Sequence, residues 1–582
     1  MKVFDFLARL AQMVLDAAAA VLGICYTAKY TVIIRRLGLA KLSETERPGL
    51  LIIQIDGLSY EHLHEAMKRG YAPHLRWLWR QGEVILRPWY VGLPCTTPAT
   101  QAGIMFGNNE DIPGFRWYIK EAQRAITCTS PNAIAEIQRR ISQGRRGILK
   151  GGSSFMNMFD GDASLSMFTL GAMNRQRFFE SVRGLGFFLL FLLNPFRTVK
   201  TLFVVVWEYF QDVVQRVSAL LRKDKVPHLL KGTSLFLRIM GDVIFREVQT
   251  FAVMIDIYRG VPAIYTTYYG YDEVAHHYGP LSKPALRALR AIDARVRRID
   301  SFRRRSLTRD YDLYILSDHG MTSAVPFRKA YGQSLGDFIR GLVGKRARLA
   351  ESLDIERRDV LHAMYLKEEL QAIESNVRPA LARVPHRLAE IVRERFGLDG
   401  HNGKEASLES LREADVVVRN SGSMSHVYLN VGSKQLSLSE IEEFFPGLAQ
   451  GLLAHPGIWL VIGREGETVI VSSREGKLFL DGEYRVLGRD PLEGVASPRV
   501  MADFIRRMAR FPHAGDLILM GRYEPKTEIV SCFEEQWACH GGLGGPQEVA
   551  FLMVEKHVPW EAIEVRQATD LYQFFKERYS GG

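Results

Sequence analysis

The stretch LLIIQIDG, residues 50–57, predicts how this chain of 582 residues folds. Its first six residues are apolar except for Gln54, and the run ends in Asp56-Gly57. Such a run is typical of a strand buried on both faces of a parallel sheet, and these sheets carry their chemistry at the carboxyl ends of the strands. Asp56 is therefore a candidate functional residue, although an aspartate after a strand is also a common helix cap.

Further runs of the same form lie along the chain at Ala263–Tyr268, Leu313–Leu316 and Val549–Val554. Helical patterns separate them, most clearly at Pro284–Arg303, where apolar residues recur every three or four positions. Strands that alternate with helices predict an α/β fold, with a central and mostly parallel sheet and helices on both faces.

The predicted catalytic domain is interrupted by two insertions. Its three parts are residues 48–173, 251–332 and 501–582. Residues 174–250 form an apolar helical insertion, and residues 333–500 form a cap that is helical at first and β-rich from Asp415 to Gly494. Residues 1–47 are predicted to be a packing helix or a helix on a membrane surface, because their apolar part is too short to span a bilayer and has basic residues on both sides.

Composition limits the function classes. A formal net charge of +11 indicates an anionic partner, which leaves phosphorylated substrates, nucleic acid and acidic membrane surfaces open. No alternation of aromatic and basic residues of the kind that binds single-stranded nucleic acid is present, so we expect no specific nucleic-acid partner. Five cysteines without a CxxC pair argue against a secreted disulfide scaffold and against a cysteine zinc finger. The sequence leaves the oligomeric state open.

Two apolar runs predict contact with a membrane. They are GLGFFLLFLLNPF (184–196) and TLFVVVWEYF (201–210), with Arg197 and Lys200 between them. Each is shorter than the roughly 20 residues that a spanning helix needs. We therefore expect a hairpin that dips into one leaflet, with a buried helical pair as the alternative. The predicted location is membrane-associated; the cysteine usage favours the cytoplasmic face, and the extracytoplasmic face stays open.

The segment CTTPATQAGIMFG, residues 95–107, carries a candidate nucleophile. Two threonines precede an apolar helical stretch, so their hydroxyl groups lie near the positive end of a helix dipole. Free backbone N–H groups at such an end can hold a phosphate oxygen. The alternative is that Thr96 or Thr97 is simply the cap of this helix.

Three further motifs supply candidate metal ligands. Asp272 and His276 are four residues apart, so they lie on one face of a helical turn and can reach one ion. Asp318 and His319 follow the end of a predicted strand and precede a glycine that lets the backbone bend. His540 lies in a glycine-rich loop before another predicted strand.

Together and in this order, the five motifs resemble the type I phosphodiesterase/nucleotide pyrophosphatase family of the alkaline phosphatase superfamily. The resemblance implies an alkaline-phosphatase-like fold and two divalent ions, expected to be Zn²⁺. By the family's pattern, Asp272, His276 and His540 hold one ion, and the other ion is held by Asp56, Asp318 and His319. The family's nucleophile stands two residues before a proline. This selects Thr96, but Thr97 stays open because the distance from Thr96 to Gly107 is one residue longer than the pattern.

The function that the resemblance implies is a two-metal phosphoric ester hydrolase with a threonine nucleophile and a phosphothreonine-type intermediate. We expect a lipid-linked or nucleotide-like substrate at a membrane. A phosphotransferase of the same superfamily and a non-catalytic membrane-associated binding protein are the alternatives. An asparagine that holds a phosphate oxygen in this family is replaced here by Trp117. Asn108, Asn109 or Arg116 could take over its contact, so the preference for diesters or monoesters stays open.

Overall fold

The computed structural model describes residues 47–173, 232–305, 308–344, 346–352, 408–560 and 565–579, with eight isolated positions between 199 and 390. The predicted helix near the N-terminus lies outside the described residues, as do most of the predicted apolar hairpin and most of the helical part of the cap.

The strands of the described residues are numbered in chain order. They are β1 (Gly49–Ile55), β2 (Val84–Tyr90), β3 (Arg116–Ile119), β4 (Arg124–Thr127), β5 (Ser153–Phe155), β6 (Leu165–Met167), β7 (Ala263–Tyr268), β8 (Tyr311–Leu316), β9 (Thr322–Pro326), β10 (Leu349–Ser352), β11 (Val416–Ser421), β12 (Met424–Leu429), β13 (Ile458–Glu465), β14 (Thr468–Ser472), β15 (Gly476–Leu480), β16 (Tyr484–Gly488), β17 (Leu517–Gly521), β18 (Tyr523–Glu524), β19 (Ile529–Cys532), β20 (Ala538–Cys539) and β21 (Val549–Glu555).

The α-helices of the same residues are α1 (Tyr60–Lys68), α2 (Pro73–Arg80), α3 (Thr97–Phe106), α4 (Pro131–Ile141), α5 (Gly232–Arg259), α6 (Gly270–Tyr278), α7 (Lys283–Arg303), α8 (Phe327–Tyr331), α9 (Leu335–Val343), α10 (Leu408–Glu413), α11 (Leu438–Phe444), α12 (Leu448–Ala454), α13 (Pro498–Ala509) and α14 (Ala568–Tyr579).

The central sheet is built around β1, as its apolar sequence predicts. All seven residues of β1 are buried, and the strand pairs in parallel with β7 on one side and β8 on the other. The sheet has seven strands in the order β2-β21-β8-β1-β7-β5-β6. The predicted fold class, an α/β fold with a mostly parallel central sheet and additional β-rich structure, is confirmed.

One strand of this sheet differs from the expectation. The Val549–Val554 run resembles a parallel strand in sequence, yet β21 is antiparallel to both β8 and β2. A strand buried on both faces is apolar throughout whichever way it runs, so the residue pattern cannot show its direction.

A second sheet of eight strands lies beside the first, in the order β10-β11-β12-β17-β13-β14-β15-β16. It is more extensive than the predicted small β-rich insertion. Its members β10 and β17 come from segments before and after the predicted interval, and β17 lies between β12 and β13. One face of this sheet packs into the core of the central sheet, and the other carries its own apolar cluster with α9 and α12.

Buried ion pairs hold the β3 region against two neighbouring segments, the loop after β19 and the start of β17. Arg116 pairs with Glu534, and Lys120 pairs with Asp516 at 3.0 Å. All four side chains are at most 5% exposed. Removing one partner of such a pair leaves an uncompensated buried charge and costs about 3–5 kcal/mol, so the β3 region is held firmly against these segments.

The helical layer contains a third charged cluster, which fixes α2 against α7. Asp300 accepts hydrogen bonds from Arg303 and Arg304, and its carboxylate lies 3.3 Å from Nε2 of His74. Burial opposes ionisation of Asp300, but His74 and the two guanidinium groups outweigh it and lower the pKa of Asp300 from 3.8 to about 2.

We expect Asp300→Asn to destabilise the protein by about 2 kcal/mol at pH 7, because the lowered pKa favours the folded state wherever the unfolded carboxyl is ionised. The contribution is present above the unfolded pKa near 4 and is lost as the pH falls toward 2. Denaturant unfolding of the variant and the wild type between pH 2 and pH 7 measures the difference. A difference that stays constant over this range would contradict the assignment.

Candidate active site

The candidate ligands lie at the carboxyl ends of three adjacent strands. Asp56 directly follows β1, Asp318 and His319 follow β8, and Asp272 lies in the first turn of α6, just after β7. Because β8, β1 and β7 are parallel neighbours, their carboxyl ends share one edge of the sheet. The order of the strands therefore brings together residues that are more than 250 positions apart in the sequence.

Asp56, Asp318 and His319 form the first group. Nε2 of His319 lies 3.4 Å from Oδ1 of Asp56 and 3.5 Å from Oδ2 of Asp318. All three side chains are fully buried. Two ligand atoms about 2 Å from one tetrahedral ion are separated by about 3.3 Å, so the spacing of this group suits one shared ion.

The second group is centred on Asp272. Its Oδ2 lies 3.3 Å from Nε2 of His276, one helical turn along α6, and its Oδ1 lies 4.0 Å from Nε2 of His540. The rings of His319 and His540 are stacked, with 3.7 Å between their centroids. His319 also has a ligand atom close to those of Asp272 and His540, so it connects the two groups.

The three imidazole rings are oriented alike by backbone carbonyl groups. Nδ1 of His276 lies 2.8 Å from the carbonyl oxygen of Ala538, Nδ1 of His319 lies 2.9 Å from that of Gly320, and Nδ1 of His540 lies 2.8 Å from that of Cys95. A carbonyl oxygen can only accept, so each Nδ1 carries the proton. Each Nε2 therefore carries a lone pair that faces the carboxylates. Metal-binding histidines are oriented in the same way.

The donor set fits two divalent ions of the zinc type. It offers carboxylate oxygens and imidazole nitrogens without a thiolate. Three carboxylates gathered in a buried site repel one another. Burial raises the pKa of Asp318. A hydrogen bond with Thr97 lowers this pKa, and the negative charge of Asp272 raises it. A cation in the cluster would relieve this cost.

The two threonines have different surroundings. Thr97 is the first residue of α3, and its Oγ1 lies 3.2 Å from Nε2 of His319. Thr96 is the N-cap residue, but its side chain makes no capping bond, and its buried Oγ1 has no hydrogen-bond partner within the described part of the chain. Among the two, the Thr97 hydroxyl thus contacts the cluster, while the identity of the nucleophile, for which the spacing to Pro98 selects Thr96, stays a prediction.

A buried polar network below the site was not foreseen from the sequence. Gln101, one turn after Thr97, donates from Nε2 to Oε1 of Gln54 on β1 and to Oγ1 of Thr267 on β7, both at 3.1 Å. Its Oε1 accepts from the backbone N–H of Met158. The break that Gln54 makes in the apolar run of β1 is the sequence signal of this network, which ties the threonine-bearing helix to the strands of the site.

The substitutes suggested for the missing phosphate-binding asparagine have other partners. Asn108 bonds to the backbone carbonyl of Ile141, and Oδ1 of Asn109 accepts from Arg507. Arg116 forms the buried ion pair with Glu534. All three side chains are thus bonded to other groups of the chain, and the expectation that one of them takes over the phosphate contact stays a prediction.

Comparison with known proteins gives a family match and distant structural neighbours. Residues 234–413 match the family described as type I phosphodiesterase / nucleotide pyrophosphatase. The chain is similar to phosphonoacetate hydrolase from Sinorhizobium meliloti 1021 in complex with phosphonoacetate, at 14% identity, 93% coverage of this chain, 100% of that chain and a TM-score of 0.45. It is also similar to murine ectonucleotide pyrophosphatase / phosphodiesterase 5 in complex with AMP, at 11% identity, 92% and 96% coverage and a TM-score of 0.41.

No curated protein sequence matches the chain. The family match agrees, over residues 234–413, with the resemblance predicted from the five motifs. The matched residues contain four of the six candidate ligands, namely Asp272, His276, Asp318 and His319.

Proposed function

Because residues 234–413 match the type I phosphodiesterase / nucleotide pyrophosphatase family, we propose that this chain hydrolyses phosphate esters at the Asp/His cluster with Thr97 as its nucleophile. The observation that carries the proposal is the position of the Thr97 hydroxyl, 3.2 Å from Nε2 of His319 and at the N-terminus of a buried helix.

Residues of the chain position the Thr97 hydroxyl and provide hydrogen-bond donors for the phosphoryl group. The Thr97 hydroxyl lies between His319 and Asp318, so its oxygen is held at the edge of the cluster. The N-terminal backbone N–H groups of α3 can bind an oxygen of the phosphoryl group. In the reaction, the Thr97 Oγ1–phosphorus bond forms while the bond from phosphorus to the leaving oxygen breaks, and the hydroxyl proton passes to the departing oxygen or to solvent. Water then hydrolyses the phosphothreonine and restores the hydroxyl.

Two divalent ions, proposed to be Zn²⁺, would be held by Asp56, Asp318 and His319 and by Asp272, His276 and His540. When bound, such ions stabilise the negative charge that develops on the attacking and leaving oxygens. The orientation of the three imidazole Nε2 atoms and the burial of the three carboxylates support this assignment.

We expect the purified protein to cleave bis(p-nitrophenyl) phosphate or p-nitrophenyl phosphate, and prolonged chelation to lower the rate on the order of 10³-fold, because several kcal/mol of charge stabilisation is lost. Release of p-nitrophenol measures both reactions, and the ratio of the two rates gives the diester preference. Adding Zn²⁺ back should restore the activity. An unchanged rate after the metal content has fallen to zero would contradict the two-metal proposal.

The substrate we propose is a lipid-linked or nucleotide-like phosphate ester at a membrane surface. The net charge of +11 and the apolar runs of residues 184–210 support membrane contact. Val199, Phe203, Val206 and Phe210, which recur at helical spacing, are helical and 53–65% exposed. Among the described residues, no helix has both the length and the apolar character to cross a bilayer.

We expect the full chain to sediment with vesicles that contain phosphatidylserine, and deletion of residues 184–210 to release most of it, because apolar side chains and basic residues together bind anionic surfaces. Co-sedimentation measures the bound fraction, and hydrolysis of p-nitrophenyl esters by the deletion variant checks that it is folded. Equal binding by an active deletion variant would contradict the membrane role of this segment.

A further inference from the structure

The loop that carries His540 is held from two sides. On one side, the backbone N–H of Cys95 donates to the carbonyl oxygen of Gly541 at 3.3 Å, and the carbonyl of Cys95 accepts from Nδ1 of His540. On the other side lies the turn Ser421-Gly422-Ser423, which joins β11 and β12 of the second sheet. Ser423 N–H donates to the carbonyl oxygen of His540 at 3.4 Å.

Gly422 allows the turn to approach the His540 backbone closely. Its φ is +65°, and a Cβ placed there would lie 1.8 Å from the carbonyl oxygen of His540. The opposite contact is also close, because a Cβ on Gly541 would lie 2.3 Å from the carbonyl oxygen of Ser421. The position of the turn and the position of the His540 backbone therefore depend on each other.

Glu534 fixes this turn. One carboxylate oxygen accepts from Arg116, and the other accepts from the backbone N–H of Gly422 at 2.8 Å. Arg116 also donates to the carbonyl oxygen of Asn420, and the backbone N–H of Phe533 donates to the carbonyl oxygen of Gly422. The Glu534 and Arg116 side chains are 3% and 5% exposed, so water cannot replace these bonds without a rearrangement.

We propose that Glu534, held by Arg116, is a positioning residue that places His540 at the metal centre through the turn 421–423. The second sheet contributes none of the six candidate ligands, yet by this route it sets the position of one of them. This inference rests on the proposed function, because it explains how one ligand of the proposed metal site Asp272/His276/His540 is positioned.

Glu534→Gln tests the proposal with almost no change in shape. Both partners of the carboxylate, the Arg116 guanidinium and the Gly422 N–H, are donors, and a glutamine offers them one acceptor oxygen instead of two. We expect the affinity for one of two zinc ions to fall about 10–100-fold while the other stays at its wild-type value. Equilibrium binding of Zn²⁺ to metal-stripped protein measures both affinities without relying on activity.

Asp516→Asn is the matched control. Asp516 is a buried carboxylate at the same interface that accepts from Lys120 and from the backbone N–H groups of Leu429 and Leu436. Leu429 lies five residues along β12 from Met424, or about 17 Å from the turn. We expect Asp516→Asn to lower the thermal midpoint and to leave both zinc affinities at their wild-type values.

A double variant, Arg116→Met with Glu534→Leu, covers the case in which Glu534→Gln does not fold. Apolar residues of similar size can replace a buried ion pair without loss of stability, but they give Gly422 no acceptor. We expect the same selective loss of one zinc ion. Wild-type zinc binding in either folded Glu534 variant, or an equal loss in Asp516→Asn, would overturn the positioning role alone. Absence of zinc binding in the wild type would overturn the metal centre, and the positioning role with it.

Discussion

Thr97→Ala is expected to lower kcat/KM toward bis(p-nitrophenyl) phosphate on the order of 10⁴-fold, because it removes the oxygen that we propose attacks phosphorus. Thr97 is buried at the N-terminus of α3, and the change removes only one hydroxyl and one methyl group, so we expect a modest loss of stability and a folded variant. Steady-state rates together with zinc content give the result, and the zinc content should stay near the wild-type value.

Two neighbouring changes make this result specific. Thr97→Ser keeps a hydroxyl and should retain far more activity than Thr97→Ala. Thr96→Ala removes a hydroxyl that has no hydrogen-bond partner within the described residues, and we expect less than about a 10-fold loss. If Thr96→Ala instead shows the large loss of activity that is expected for Thr97→Ala, the nucleophile is Thr96, as the spacing to Pro98 indicates.

Gly57→Ala is expected to abolish both activity and tight metal binding. Gly57 has a φ of +72°, and a Cβ there would lie 2.3 Å from Oδ1 of Asp272. The left-handed conformation costs an alanine about 1–2 kcal/mol, and the overlap in addition forces the Asp272 carboxylate out of its place. Zinc titration and p-nitrophenyl ester hydrolysis measure the two losses.

Gly70→Ala is the control variant, because it introduces backbone strain without an overlap with a neighbouring side chain. Gly70 has a φ of +79°, and a Cβ there would meet nothing within 4 Å. It should show only the destabilisation that comes from backbone strain, and its metal binding should stay at the wild-type value. If the two variants bind zinc equally well, the contact between Gly57 and Asp272 is not what positions the carboxylate.

Candidate functional residues that directly follow a predicted strand could be identified from the sequence. Asp56 and Asp318 follow apolar runs that form parallel strands, and the four-residue spacing of Asp272 and His276 is realised on one face of α6. Patterns of this kind depend only on residues that are close in the sequence. For that reason, the fold class could be predicted from such patterns, whereas the grouping of the six ligands, His540 above all, came from the family resemblance.

Features that depend on contacts distant in sequence could not be predicted. The direction of β21 is set by its neighbours in the sheet, since its residues are apolar in either direction. The turn at Gly422 lies more than 100 residues from His540, and no local pattern connects them. Thr96 and Thr97 are adjacent, so the choice between them depends on how α3 is anchored, which Gln101 determines through strands elsewhere in the chain.

The proposal that a threonine hydroxyl of α3 attacks phosphorus is tested most directly by trapping the covalent intermediate. The protein would be mixed with excess bis(p-nitrophenyl) phosphate and quenched in acid during turnover, and the peptide that contains Thr96 and Thr97 would be fragmented in a mass spectrometer. We predict a p-nitrophenylphosphoryl or phosphoryl adduct on Thr97 that is absent from Thr97→Ala. An adduct on Thr96 or on a residue outside α3 would contradict it.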